Sequence, residues 1–159
     1  MASDNVVEKN KSVTRRFMEE FKNQHKFAVI DELFSPRAVV HLPAEGLPDG
    51  PEGQKAIARG IFAAFPDVRV TLDKVIAEGN FVAERHTARA THEGEFMGIL
   101  ATGKKIYWTE NHFYRIEDGR IHELWSEWSF QKLMDQLIEG PAHEINRTSR
   151  VPGSHRVSR

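Results

Sequence analysis

The chain has 159 residues, 40% hydrophobic and 28% charged, which suits one folded domain and excludes a disordered chain. Its 22 basic and 23 acidic residues leave a formal charge of −1, which gives no electrostatic reason to expect nucleic acid as a partner. Cysteine is absent, which excludes disulfides, thiolate catalysis and cysteine-based zinc sites, and no apolar run approaches the roughly 20 residues of a membrane span. Residues 1–10 are polar and lack the apolar stretch of a signal peptide, so a cytoplasmic location is the expectation.

Val6, Val13, Phe17 and Phe21 recur at steps of seven and four, which predicts an amphipathic helix over about residues 4–22. Ser3 and Asp4 are its candidate caps. A short helix is expected over residues 27–34, stopped by Ser35-Pro36 because the residue before proline avoids helical geometry. An extended stretch covers residues 38–43, and the glycines and prolines of residues 44–53 form a loop. A third helix is expected over about residues 51–65, with Pro51 in its first turn. From Val68 the apolar period becomes two, and a change of parity near Lys74 predicts a bulge. Further strands are expected over residues 81–92, 104–116 and 120–128, the last two joined by an Asp118-Gly119 hairpin turn. Residues 93–103 read as irregular, and a last helix covers residues 130–137. Residues 1–140 thus form one α+β domain, with helices first and a curved antiparallel sheet after them, enclosing a cavity. Residues 141–159 read as a polar, basic tail.

Five of the eight histidines, His41, His86, His92, His112 and His122, fall in or near predicted strands. Strand parity places Glu84, His86 and His92 on one face of one strand, and Trp108, Glu110 and His112 on one face of the next. On the last strand His122, Leu124, Ser126 and Trp128 share a face, opposite Glu123, Trp125 and Glu127. Mixed faces of this kind suit the wall of a small-molecule pocket. His112 is the leading candidate for an acid or base, with Glu110 two residues before it to orient the ring. The same spacing also suits a core or surface histidine with a satisfied hydrogen bond. Glu84 and His86 repeat the spacing, but with Arg85 and Arg89 beside them they also read as a solvated sheet face. No helical His pair of the HExxH kind occurs, so no metal site is assigned. Neither a phosphate loop nor a GxSxG elbow is present.

Several stretches in order resemble the SnoaL-like polyketide cyclase family. They include Gly50-Pro51-Glu52-Gly53, Phe65-Pro66-Asp67, Glu78-Gly79-Asn80-Phe81-Val82 and Thr91-His92-Glu93-Gly94-Glu95-Phe96-Met97-Gly98. Ala101-Thr102-Gly103-Lys104, Arg115-Ile116-Glu117-Asp118-Gly119-Arg120-Ile121, Glu123-Leu124-Trp125 and Met134-Asp135-Gln136-Leu137 complete the set, over about residues 10–138. The resemblance implies the cone-shaped fold of the nuclear transport factor 2-like superfamily, with a deep pocket and association through the sheet as homodimers or higher oligomers. It implies aldol ring closure on polyketides with no cofactor and no metal. An aspartate near the tryptophan of the last strand would handle the proton, with help from a histidine on the strand before.

By that resemblance His112 takes the histidine's place, and His41 and His92 match pocket positions. The positions where the aspartate is expected hold Ser126 and Ser129. Glu127 replaces it if a bulge turns its side chain inward, and Glu110 is the other available carboxylate. His112, Glu110 and Glu127 are therefore the candidate catalytic residues, with His41, His86, His92, Trp108, Ser126 and Trp128 as candidate ligand contacts. The expected ligand is a small apolar carbonyl compound. Three functions remain open: a cofactor-free lyase or isomerase, a non-catalytic ligand-binding protein, and an interaction domain.

Overall fold

The N-terminal apolar stripe becomes helix α1, Ala2–Arg16, in a computed structural model that describes residues 2–42 and 44–139. The helix begins ahead of Ser3 and Asp4, so both lie within it rather than capping it. It runs on into wider π-helical turns, Phe17–Asn23, which bury Phe17, Met18 and Phe21. His25, in the left-handed region at φ 55°, then turns the chain. Helix α2 (Ala28–Leu33), strand β1 (Phe34–His41) and helix α3 (Gly50–Ala64) follow. Strands β2 (Arg69–Glu78), β3 (Phe81–Thr91), β4 (Lys105–Glu117) and β5 (Arg120–Trp128) lead to helix α4 (Phe130–Ile138).

The five strands form one sheet in the order β1-β5-β4-β3-β2. Its four long strands pair antiparallel, as expected, but β1 pairs with β5 in parallel. The chain between β1 and β5 is long enough for such a crossover. Strand β1 also starts earlier than expected and runs through Ser35-Pro36. It is an edge strand, so the proline costs no ladder bond on its open side. The bulge expected near Lys74 lies between Leu72 and Lys74. A second irregularity, between Arg115 and Ile116, sets Ile116 against Ile121 and Arg115 against Glu123. His122 is the extra residue there, so Ile121 and Leu124 can both point inward.

The helices cover one face of the sheet. Phe17 and Phe21 stack at 5.4 Å, and Phe17 meets Phe34 and Tyr114 edge-on. Against them pack Val82, Ala88, Ile106, Trp108, Tyr114 and Leu124 from the inner faces of β3, β4 and β5. The Asn23 side chain accepts from the Val70 N–H at 2.7 Å and donates to the Val70 carbonyl at 3.2 Å, tying the π-helical end to β2. No helix among the described residues is long and apolar enough to cross a membrane. The basic tail expected over residues 141–159 lies outside the described residues.

Candidate functional site

Strict alternation along β3 and β4 turns Glu84, His86, Glu110 and His112 to the covered face. All four are buried, with His86 at 0% and Glu84 at 4% exposure. The solvated-face reading of Glu84 and His86 is thus corrected: Arg85 and Arg89, on the other parity, carry the exposed face. Register makes the four a checkerboard, with Glu84 opposite His112 and His86 opposite Glu110. Each carboxylate therefore meets an imidazole both along its own strand and across to the next.

The contacts follow from that pattern. Glu84 lies 3.1 Å from His86 Nδ1 through Oε2, and 2.9 Å from His112 Nδ1 through Oε1. The Tyr114 hydroxyl donates to Glu84 Oε1 at 3.1 Å and lies 2.8 Å from His112 Nδ1. Glu110 Oε1 accepts from the Trp108 indole at 2.8 Å. Its Oε2 sits 3.1 Å from His112 Nε2 and accepts from Lys22 Nζ at 2.9 Å. His86 Nε2 is 3.3 Å from the same oxygen, a charge contact without hydrogen-bond alignment. The Ser126 hydroxyl lies 3.0 Å from His112 Nε2.

Burial by itself raises a carboxyl's pKa, yet both carboxyls are held low. At Glu84 the hydrogen bonds from His112 and His86 outweigh burial and bring it down to about 2. At Glu110 burial is outweighed by the charges of Lys22 and His86 and by the hydrogen bond with His112, which hold it well below its usual range. His86 moves the opposite way: burial disfavours its charge, but Glu110 and then Glu84 raise it above its ordinary value. Burial, with Glu84 behind it, pushes the Tyr114 phenol well above its ordinary value, so it remains an O–H donor. Two carboxyls held low thus face Lys22 and a His86 whose protonated form its neighbours favour.

A pocket opens on this floor. Lys22, Glu110, Ser126, Trp108 and Trp128 line it together with Leu42, Gln54, Ile57, Ile61 and Phe62. The cavity has a volume of about 40 Å³, so it takes a small group without rearrangement. Lys22 arrives from the π-helical turns, which swing it over Glu110. Gln54 is buried on α3 and has no side-chain partner among the described residues. The Trp128 indole nitrogen is buried without a partner among the described residues.

Six of the nine residues singled out from the sequence meet here: Glu110, Trp108, Ser126 and Trp128 line the pocket, and His112 and His86 lie behind them in the buried network. The other three do not. Glu127 is exposed on the outer face opposite Asn111, because the β5 bulge lies five residues ahead of it and leaves the local parity unchanged. His41 is exposed, paired with Glu123 at 2.9 Å and stacked on Trp125 at 5.3 Å; its neighbour Leu42 lines the pocket instead. His92 is buried beside Phe65 and anchors the loop after β3, accepting from Thr102 N–H through Nδ1. Sequence reasoning missed Lys22, Gln54 and, as a site residue, Tyr114. Tyr114 shares the parity of His112, which was a usable signal. Lys22 and Gln54 sit in helices where one polar residue resembles another.

Glu84, His86 and His112 each offer a metal-ligating atom, all within 4.8 Å of one another. Those atoms are hydrogen-bonded among themselves, and Lys22 adds a positive charge to the adjoining carboxylate. An ion there would have to displace imidazole protons and sit near that ammonium, so the donor set fits a proton network better than a cation.

Comparison with known proteins agrees with this geometry. The family model described as SnoaL-like polyketide cyclase matches residues 12–137. IdmH of Streptomyces antibioticus, a candidate polyketide cyclase, is 34% identical; the match covers 80% of this chain and 97% of that one, with a TM-score of 0.73. AclR of Streptomyces galilaeus, a candidate hydroxylase, is 27% identical over 86% of this chain and 89% of that one, with a TM-score of 0.75. A SnoaL-like protein from Jannaschia sp. CCS1 is 19% identical over 86% of this chain and 96% of that one, also at 0.75, and speaks for the fold alone. Among curated proteins none matches.

Proposed function

This chain belongs to the SnoaL-like polyketide cyclase family, and on that premise we propose that its buried site moves a proton on a small carbonyl compound, without a cofactor, in an aldol ring closure or related isomerisation. The observation that carries the reading is the checkerboard of two carboxylates and two imidazoles beneath an apolar pocket. An acidic C–H next to a carbonyl gives its proton to His112 Nε2, and the electron pair moves onto the carbonyl oxygen as an enolate. Glu84 and Glu110 flank the imidazolium that forms and stabilise it. Lys22, in the same pocket, faces the oxyanion. After carbon–carbon bond formation, the imidazolium returns its proton to the new alkoxide.

Deuterium uptake at the central carbon of 2,4-pentanedione, followed by NMR in D2O, tests this on a minimal probe. His112→Gln is expected to slow uptake by about 100-fold or more. Uptake that is equal in wild type and variant sinks the reading. Ser126, where the family's aspartate is expected, favours one rival: a pocket that holds its ligand and moves no proton. Saturable shift changes without uptake in the wild type would select it.

The proposal includes a second copy of the chain. The outer face of the sheet carries Phe81 stacked on Phe113 at 5.4 Å, with Trp125 beside Phe113 at 5.6 Å. Arg85, Asn111 and Glu127 share that face, so it offers both signs of charge to an identical surface.

A further inference from the structure

Ser126 has no part in the proton transfer above, yet it stands where a nucleophile would. It is the cross-strand partner of His112, its hydroxyl lies 3.0 Å from His112 Nε2, and it lines the pocket. The other ring nitrogen favours one tautomer. Tyr114 gives its proton to Glu84 Oε1 at 3.1 Å, so its oxygen is left to accept from His112 Nδ1 at 2.8 Å. Glu84 Oε1 lies 2.9 Å from the same Nδ1. Nε2 has a single carboxylate oxygen beside it, Glu110 Oε2 at 3.1 Å, which already accepts from Lys22 at 2.9 Å. With the proton of a neutral His112 on Nδ1, where two acceptors meet it, Nε2 presents its lone pair to the Ser126 hydroxyl. A hydroxyl, an imidazole and a buried carboxylate in that order form an activated nucleophile, recognised by geometry and not by a sequence motif. The absence of a GxSxG elbow does not bear on it.

Donors for an oxyanion line the same pocket. Lys22 brings an ammonium. Trp128, two residues along the strand and on the same face, brings a buried indole N–H with no partner among the described residues. A tetrahedral intermediate on Ser126 needs donors of this type.

We propose that Ser126 is a catalytic nucleophile and that this chain hydrolyses short acyl groups carried as esters or thioesters. The inference shares His112 with the proton-transfer reading but does not depend on that reaction. As Ser126 Oγ attacks the acyl carbon, its proton passes to His112 Nε2 and the carbonyl electron pair moves to oxygen. Collapse restores the carbonyl and breaks the bond to the leaving oxygen or sulfur, which takes the proton from His112. Water then attacks the serine ester with His112 again as base, releasing the acid and restoring Ser126. The small cavity limits the acyl group to a short one.

The test uses the full chain and p-nitrophenyl acetate. The expected result is a burst of p-nitrophenolate and, in acid-quenched wild-type protein, an acetyl group on Ser126 and not Ser129, located by peptide fragmentation. Ser126→Ala is expected to lower the acylation rate by about 1000-fold. If that variant does not fold, the wild-type peptide map still decides, and phenylmethanesulfonyl fluoride supplies a second adduct at the same hydroxyl. Acetylation confined to lysines, or no adduct on Ser126 from either reagent, overturns the inference. Deuterium uptake by 2,4-pentanedione, read on the same preparation, separates the two readings. Uptake without an adduct removes only this one, and an adduct without uptake removes only the other.

Discussion

Glu84 accepts hydrogen bonds from His86 and Tyr114 and lies 2.9 Å from His112 Nδ1, at 0% side-chain exposure for itself and His86. Its folded-state pKa, depressed from 4.5 to about 2, makes it a source of stability above its unfolded value that is lost as pH falls through the folded one. The shift corresponds to about 3 kcal/mol. His86 works in the other direction, because its raised pKa stabilises the fold while the ring is protonated. That contribution is fully present below its ordinary value of 6.5 and is lost as pH rises through the raised one. Urea unfolding measured across pH should therefore show an acid limb from the carboxylates and a decline as pH rises through the raised value of His86. Glu84→Gln should flatten the acid limb and cost about 3–5 kcal/mol at neutral pH, because two imidazoles lose their counter-charge. An unchanged acid limb would show that Glu84 is not held low in the folded chain.

The π-helical turns determine which side chain of the first helix reaches the site. Lys22 meets Glu110 from there at 15% side-chain exposure, so Lys22→Met leaves a buried carboxylate short of its main positive partner. A loss of about 3–5 kcal/mol is expected from urea midpoints. Gly94 packs so closely under α3 that a Cβ would lie 2.3 Å from the Ala63 carbonyl oxygen, whereas Gly60, within α3, has open space around it. Gly94→Ala should lower the melting temperature sharply, and Gly60→Ala should raise stability by about 0.5–1 kcal/mol. These elements also divide what the sequence discloses from what it hides. Period-two alternation is a local property, so the shared face of Glu110 and His112 and that of Glu84 and His86 were legible. Which face is covered depends on where the helices dock, so the burial of Glu84 and His86 was not. The bulge near Lys74 announced itself by a change of parity, whereas the extra residue at His122 was masked by apolar residues on both parities. A π-helical turn has no compositional mark, and Lys22 accordingly read as one more charge on a solvated helix face.

At the scale of the whole molecule the sheet has two unlike faces, one closed by helices and one bearing Phe81, Phe113 and Trp125. Pairing of two outer faces predicts that light scattering will give twice the chain mass, and that Phe113→Asp will reduce it to one. Doubled mass retained by that variant would locate the contact elsewhere. On the inner face, the proton network occupies adjacent positions on three neighbouring strands, β3, β4 and β5, with Lys22 reaching it from the π-helical turns, and no loop residue among those described belongs to it. The space above it is bounded by helices and by Leu42, and an adjoining hollow that shares Ile57, Ile61 and Trp128 with it is lined by Leu47, Glu95, Phe96 and Met97. Chemistry and selectivity are thus inherited separately. Insertions, deletions and exchanges in the loops can change what is admitted while the strand register keeps the reactive groups aligned. A scaffold built this way can change the ligand it admits through its loops while the strand register beneath stays as it is.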